Sequence, residues 1–159
     1  MAVYFFDSSA LVKRYVAEVG SGWVVTITDP TAGNRIYVAN IAGVEVPAAF
    51  RKKVRTGEIT QAQAVTAITD FENDYTSQYN PIQVTDAVIL SAAALTGRYP
   101  LRAYDAVQLA SALEVNGQIQ ALGAAAAGRL TLTFVSADNN LNNAATGEGL
   151  AVENPENHP

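Results

Sequence analysis

The sequence predicts an α/β domain built on a central, mostly parallel sheet of four to five short strands, and three observations carry that prediction. Candidate short strands at residues 3–6, 36–39, 82–84, 132–135 and 150–152 alternate with segments of helical periodicity, the order expected when helices cross over between parallel strands. The run at 3–6 is continuously apolar, which suits a strand covered on both faces, and 132–135 is the clearest late strand. Capping residues, prolines and glycines punctuate the segments between them, marking where helices start and stop.

Asp7-Ser8-Ser9 follows the first strand and reads as a helix start, with Ser8 or Ser9 as N-cap ahead of Ala10-Leu11-Val12. Asp7 thus closes a strand and faces a helix N-terminus, the place where open α/β sheets build their sites. A second helix over about 21–29 stops at Pro30. After the strand at 36–39, Ile41, Val44, Ala48 and Ala49 recur at helical spacing, and Glu45 falls within that stripe. The basic run Arg51-Lys52-Lys53 and Arg55 closes this helix near Gly57, where cations suit the C-terminal end of the helix dipole. Thr60 and Gln63 form a capping-box pattern for a long helix toward Tyr79, ended by Pro81. Asp86 is the expected N-cap of a helix stopped by Gly97. The next helix opens near Arg102, carries Asp105 in its first turn, and is expected to end at Gly117. The Ala/Gly-rich stretch 118–129 reads as either a helical insertion or a loop. Ser136-Ala137-Asp138 follows the strand at 132–135 and leads into a short helix. Residues 1–153 are expected to form one domain and 154–159 a flexible tail.

Composition removes several classes of chemistry. There is no cysteine, and His158, in a Pro/Asn-rich segment, is the only histidine; this argues against Ser-His-Asp and Cys-His catalysis and against thiolate or histidine zinc sites. Oxygen ligands remain, and they suit Mg²⁺ or Mn²⁺. The N-terminal apolar run is too short for a signal peptide core, and no stretch reaches membrane-spanning length; a soluble cytoplasmic protein is expected. The net charge is −5, yet once Asp7, Glu45, Asp105, Asp138 and the late acids Glu148, Glu153 and Glu156 are set aside, the remainder is slightly positive. Overall charge is therefore weak evidence against an anionic partner.

Asp7, Glu45, Asp105 and Asp138 stand at strand ends, in a first helical turn or within an apolar stripe, and none has a Lys or Arg directly beside it in sequence. Converging acids raise one another's proton affinity unless a cation intervenes, which makes a divalent metal the simplest compensation. Taken singly, Asp7 and Asp138 also fit helix caps, the commoner role for a lone Asp in that position, and Asp105 fits a surface charge favoured by the helix dipole. Glu45 has no capping role within its stripe, although a distant Lys or Arg is an alternative partner. Arg51 and Lys52 lie six and seven residues after Glu45, about two turns on, so they suit either a phosphate backbone or a solvated helix end. Lys13 and Arg14 carry the same two readings.

Four segments, residues 3–13 ending the first strand in Asp7, 43–49 around Glu45, 101–110 around Asp105 and 134–141 around Asp138, closely resemble PIN-domain proteins, most of all VapC-type toxins of toxin–antitoxin pairs. The resemblance spans nearly the whole chain in the family's order and spacing. It implies a PIN-like three-layer α/β/α sandwich and maps the family's acids onto Asp7, Glu45, Asp105 and Asp138, which by resemblance bind one or two Mg²⁺ or Mn²⁺ ions, with Ser9 supporting them. The implied activity is endoribonuclease hydrolysis of RNA phosphodiester bonds by a metal-activated water. The implied partners are RNA, a cognate VapB-like antitoxin and a second copy in a homodimer. A catalytically silent PIN-like module that binds RNA or protein is the alternative, and a small phosphatase or nucleotide hydrolase shares the metal chemistry.

Overall fold

The computed structural model describes residues 1–123 and 131–158; the Ala-rich stretch around Ala124 to Ala127 lies outside them. β1 (Val3–Phe6) leads into the one-turn helix α1 (Ser8–Leu11) and a 3-10 turn (Val12–Arg14). Then come α2 (Ser21–Thr28), β2 (Arg35–Ala39), α3 (Ala42–Arg55), α4 (Gln61–Ser77), β3 (Asn80–Ile82), α5 (Asp86–Arg98) and α6 (Ala103–Gly123). β4 (Leu132–Val135), α7 (Asn139–Gly147) and β5 (Ala151–Glu153) complete the fold.

The five strands form one sheet in the order β3-β2-β1-β4-β5, every neighbouring pair parallel. Side chains alternate across a strand, and β1 shows the consequence: Val3 and Phe5 join a core with α5, α6 and α7, whereas Phe6 joins one with α1, α2, α3 and α4. Phe5 stacks on Phe134 of β4 with ring centroids 5.9 Å apart. The expected three-layer α/β/α sandwich is the observed architecture. The chain winds outward from β1 through β2 to β3, then returns to lay β4 on the other side of β1. The point where that order reverses, between the C-terminal ends of β1 and β4, is where a crevice opens in such sheets.

Several local expectations are corrected. Asp7, not Ser8 or Ser9, is the N-cap of α1, accepting the Ala10 amide. Thr85, not Asp86, caps α5, since its hydroxyl takes the Val88 amide. Pro81 lies inside β3, whereas the sequence places that strand at 82–84; an edge strand is paired on one side only, so a residue without an N–H is accommodated. Gly117 does not end α6, because Val115 and Ile119 bury on either side of it and packing outweighs a glycine's cost of about 1 kcal/mol. The capping box of Thr60 and Gln63 is present at α4.

The segment read as a flexible tail is packed. Pro155 is buried with its backbone against Gly20, Glu156 pairs with Lys13 at 3.3 Å, and His158 stacks on Trp23 at 4.4 Å. Among the described residues no helix is long and apolar enough to cross a membrane.

Candidate functional site

Asp7 and Asp138 follow the two strands that flank the reversal point. The Asp7 amide donates to Val135 O at 3.1 Å, which ties the end of β1 to the end of β4. The Asp7 carboxylate is buried, 5% exposed; its Oδ1 accepts the Ala10 amide at 3.0 Å, and Ser9 Oγ lies 2.8 and 3.0 Å from its two oxygens. Ser9 Oγ accepts the Ala137 amide at 3.0 Å and approaches Ser136 Oγ at 3.5 Å, and Ser136 Oγ accepts the Asp138 amide at 3.0 Å. A line of hydroxyls thus connects the first acid to the last. Asp138 Oδ1 caps α7 through the amides of Asn140 and Leu141, so its capping role is real.

Burial pushes the Asp7 carboxyl up to about 7, against the hydrogen bonds from Ala10, Ser9 and Ser136, and the nearby charge of Asp105 pushes the same way. Asp105, half-buried in the first turn of α6, is also raised, first by burial and then by the charge of Asp138, while Arg102 opposes. Asp7, Asp105 and Asp138 therefore sit within electrostatic reach of one another in series.

Glu45 is set beside this series. It lies in the first turn of α3, where the helix dipole also favours an anion. The stripe expected to surround it is not the buried one: Val44 and Ala48 are exposed, and Ala42, Val46, Pro47 and Phe50 face the core. Its Oε2 takes two hydrogen bonds, from Ser8 Oγ and Gln108 Nε2, each at 2.5 Å. Among the described residues none of the four acids pairs with a Lys or Arg within 4.0 Å. Nor do any three acidic or histidine side chains gather into a ready-made metal cage. The donors are carboxylate and hydroxyl oxygens, a hard set that fits Mg²⁺ or Mn²⁺.

The basic residues divide. Lys13 is buried and binds Glu18 at 3.1 Å, Glu156 at 3.3 Å and Val19 O at 3.1 Å. Arg14 pairs with Asp74 at 2.8 Å and donates to Thr28. The structure uses both inside the fold, correcting the reading of them as RNA contacts. Lys53 is held by Glu18 and Glu58, whereas Arg51 and Lys52 are exposed and, among the described residues, free of ion pairs. A groove of about 290 Å³ runs from Ser8 and Ser9 past Val12 and Ala49 to Lys52 and Lys53. Neither this groove, which Glu18 and Glu58 also line, nor a larger one of about 510 Å³ between Tyr15 and α4 is lined by any of the four acids.

No family model matches the chain. Two curated proteins of Mycobacterium tuberculosis, ribonuclease VapC45 of strain CDC 1551 and ribonuclease VapC49 of strain H37Rv, are each 33% identical to it over 115 residues, 72% of this chain and 78% of theirs. The chain belongs to the VapC ribonuclease family. Solved structures agree in fold: FitAcB from Neisseria gonorrhoeae (TM-score 0.63, 14% identity, 96% of this chain and 97% of that one) and VapBC2 from Rickettsia felis bound to a promoter DNA fragment (0.58, 12%, 96% and 98%). VapBC-5 from Mycobacterium tuberculosis aligns over 97% of this chain and 98% of its own at TM-score 0.51 and 15% identity.

Three polar residues of this VapC-family site escaped the sequence reading. Gln108 follows Asp105 by three positions, one helical turn; Ser8 was read only as a cap; Ser136 precedes Asp138 by two. Spacing from a recognised acid is the one signal that points to them.

Proposed function

We propose that this chain is a metal-dependent endoribonuclease and the toxin of a VapBC-type toxin–antitoxin pair, acting in the cytoplasm. The observation that carries the reading is the buried Asp7 carboxyl at the sheet's reversal point, in electrostatic series with Asp105 and Asp138 and, among the described residues, without a Lys or Arg within 4.0 Å of any of the three. Such a series is costly when ionised alone and favourable beside a divalent ion. Asp7, Asp105 and Asp138, with Glu45 alongside, would hold one or two Mg²⁺ or Mn²⁺ ions. When bound, the metal supplies a water of lowered pKa and charge stabilisation for the phosphate oxygens.

The chain's own side chains do the rest. Ser9 fixes the Asp7 carboxylate through its hydroxyl. Glu45 would hold the metal or orient a water with its remaining oxygen. Lys52, at the far end of the groove that starts at Ser8 and Ser9, and the exposed Arg51 next to it in sequence hold the RNA backbone. The VapBC complexes among the similar structures support a VapB-like antitoxin as partner; a homodimer is proposed on family grounds.

The test is RNA cleavage with Mg²⁺ or Mn²⁺ by wild type and Asp7→Ala. Loss of cleavage in the variant and in EDTA is expected. Equal cleavage by both proteins sinks the assignment. RNA bound but uncut by wild type would identify the silent binding module instead.

A further inference from the structure

Gln108 is 2% exposed on α6 and sits one turn beyond Asp105. Its amide nitrogen reaches two groups that come from different elements: Glu45 Oε2 on α3 at 2.5 Å and Ser8 Oγ on α1 at 3.1 Å. Ser8 Oγ in turn lies 2.5 Å from the same Glu45 Oε2. A carboxylate oxygen offers about two acceptor sites, and both on Oε2 are taken. Among the described residues Oε1 accepts nothing. The amide orientation follows from the chemistry, because the reverse would set Gln108 Oε1 against a carboxylate oxygen with no proton between them.

Gln108 Oε1, on the other side of the amide, is buried without a hydrogen-bond partner. Buried polar atoms are nearly always partnered, and an exception calls for a reason. Three other buried side-chain amide oxygens, on Asn40, Gln78 and Asn142, are also unpartnered; at Gln108 the orphaned carbonyl goes with an N–H donor kept on the acid.

We propose that Gln108, together with Ser8, is a positioning residue that confines Glu45 to ligation through Oε1 alone, so that Glu45 meets the site's divalent ion as a one-oxygen ligand. The inference rests on the metal-dependent reading above. Neither residue touches the reacting atoms; both act through Glu45. Residues that orient metal ligands by hydrogen bonding typically change metal affinity or activity 10- to 100-fold when removed, because a carboxylate freed to rotate must be re-ordered on binding.

The test measures Mn²⁺ binding by titration calorimetry on the full chain, alongside kcat and KM on RNA. Gln108→Met keeps the volume and removes the donor; Gln108→His restores an N–H. Wild type is expected to bind Mn²⁺, Gln108→Met to bind about 10- to 100-fold more weakly with kcat reduced and KM for RNA little changed, and Gln108→His to recover part of the loss. Ser8→Ala, which removes the other donor with little change in packing, is expected to move the same parameters and carries the test if Gln108→Met does not fold. Unchanged Mn²⁺ affinity and kcat in a folded Gln108→Met or Ser8→Ala overturns the positioning role while leaving the nuclease reading intact. A wild type that binds no Mn²⁺ removes both.

Discussion

Lys13 Nζ lies 3.3 Å from Glu156 in the last 3-10 turn and 3.1 Å from Glu18 in the loop before α2. One buried ammonium thereby joins α1's 3-10 extension to the C-terminal segment, next to Pro155 against Gly20 and His158 against Trp23. Glu156 is half exposed, so the ion pair itself contributes little; the buried proline and the stacked ring contribute more. Truncation after Glu153 is expected to cost about 2 kcal/mol, a fall of about 4–8 °C in Tm for a chain of this size. An unchanged Tm by calorimetry would return the segment to the status of a tail.

The raised Asp7 carboxyl predicts a pH dependence. Its pKa is raised to about 7 in the fold, against 3.8 for an ordinary aspartate. Between those values the native state holds more protons than the unfolded state, so stability falls as pH rises through the window and stays reduced above it. Asp7→Asn keeps the oxygen that caps α1 and removes the ionisation. In EDTA, wild type is expected to lose Tm relative to Asp7→Asn from about pH 4 to pH 7, with the largest gap above pH 7. Parallel curves would show that the Asp7 charge is not the destabilising group. Adding Mn²⁺ at pH 7.5 is expected to raise the Tm of wild type and leave that of Asp7→Asn nearly unchanged.

The divided basic residues predict divided phenotypes. Lys52→Ala and Arg51→Ala are expected to raise KM for RNA severalfold with kcat retained, and each lost phosphate contact lowers the slope of log affinity against log salt by about 0.7. Lys13→Met leaves Glu156 without its ion-pair partner and Glu18 with Lys53 alone, and Arg14→Met leaves Asp74 without its cation. They are expected to lower Tm. Salt-dependent RNA binding and thermal melts on the same four variants decide the matter, and a folded Lys13→Met with normal Tm and weakened RNA binding would restore the sequence reading.

What was legible in the chain follows the range of the interactions involved. β1 could be read because a strand covered on both faces needs an unbroken apolar run, β4 because apolar and β-branched residues fill it, and Thr60 with Gln63 because a capping box closes within four residues. Glu45 was singled out for a reason that did not hold. α3 carries two competing apolar registers, and the one with the larger Phe50 won the core, leaving Val44 exposed. Lys13 and Arg14 were left open to an RNA contact because Glu156 and Asp74, which help to hold them, are 143 and 60 positions away, although Glu18, a second partner of Lys13, is only five. Gln108 was missed for the same reason, since its partner Glu45 is 63 positions off and a glutamine within a helix gives no local sign.

Two glycines separate what the fold tolerates from what it requires. Gly117 lies within α6, exposed, and a Cβ there would meet nothing within 4 Å. Gly117→Ala removes the helix penalty of about 0.8–1.0 kcal/mol and is expected to raise Tm by about 2–4 °C. Gly20 stands just before α2 with φ +84°, and an added Cβ would fall 2.2 Å from Pro155 O. That contact is with backbone, so the C-terminal segment must leave before a side chain can enter. Gly20→Ala is expected to destabilise by at least 2 kcal/mol, from the combined clash and left-handed backbone, and to lose most of the further effect of truncation after Glu153. A double-mutant cycle measures that coupling: additive losses in Tm would show that Gly20 does not act through the Pro155 contact.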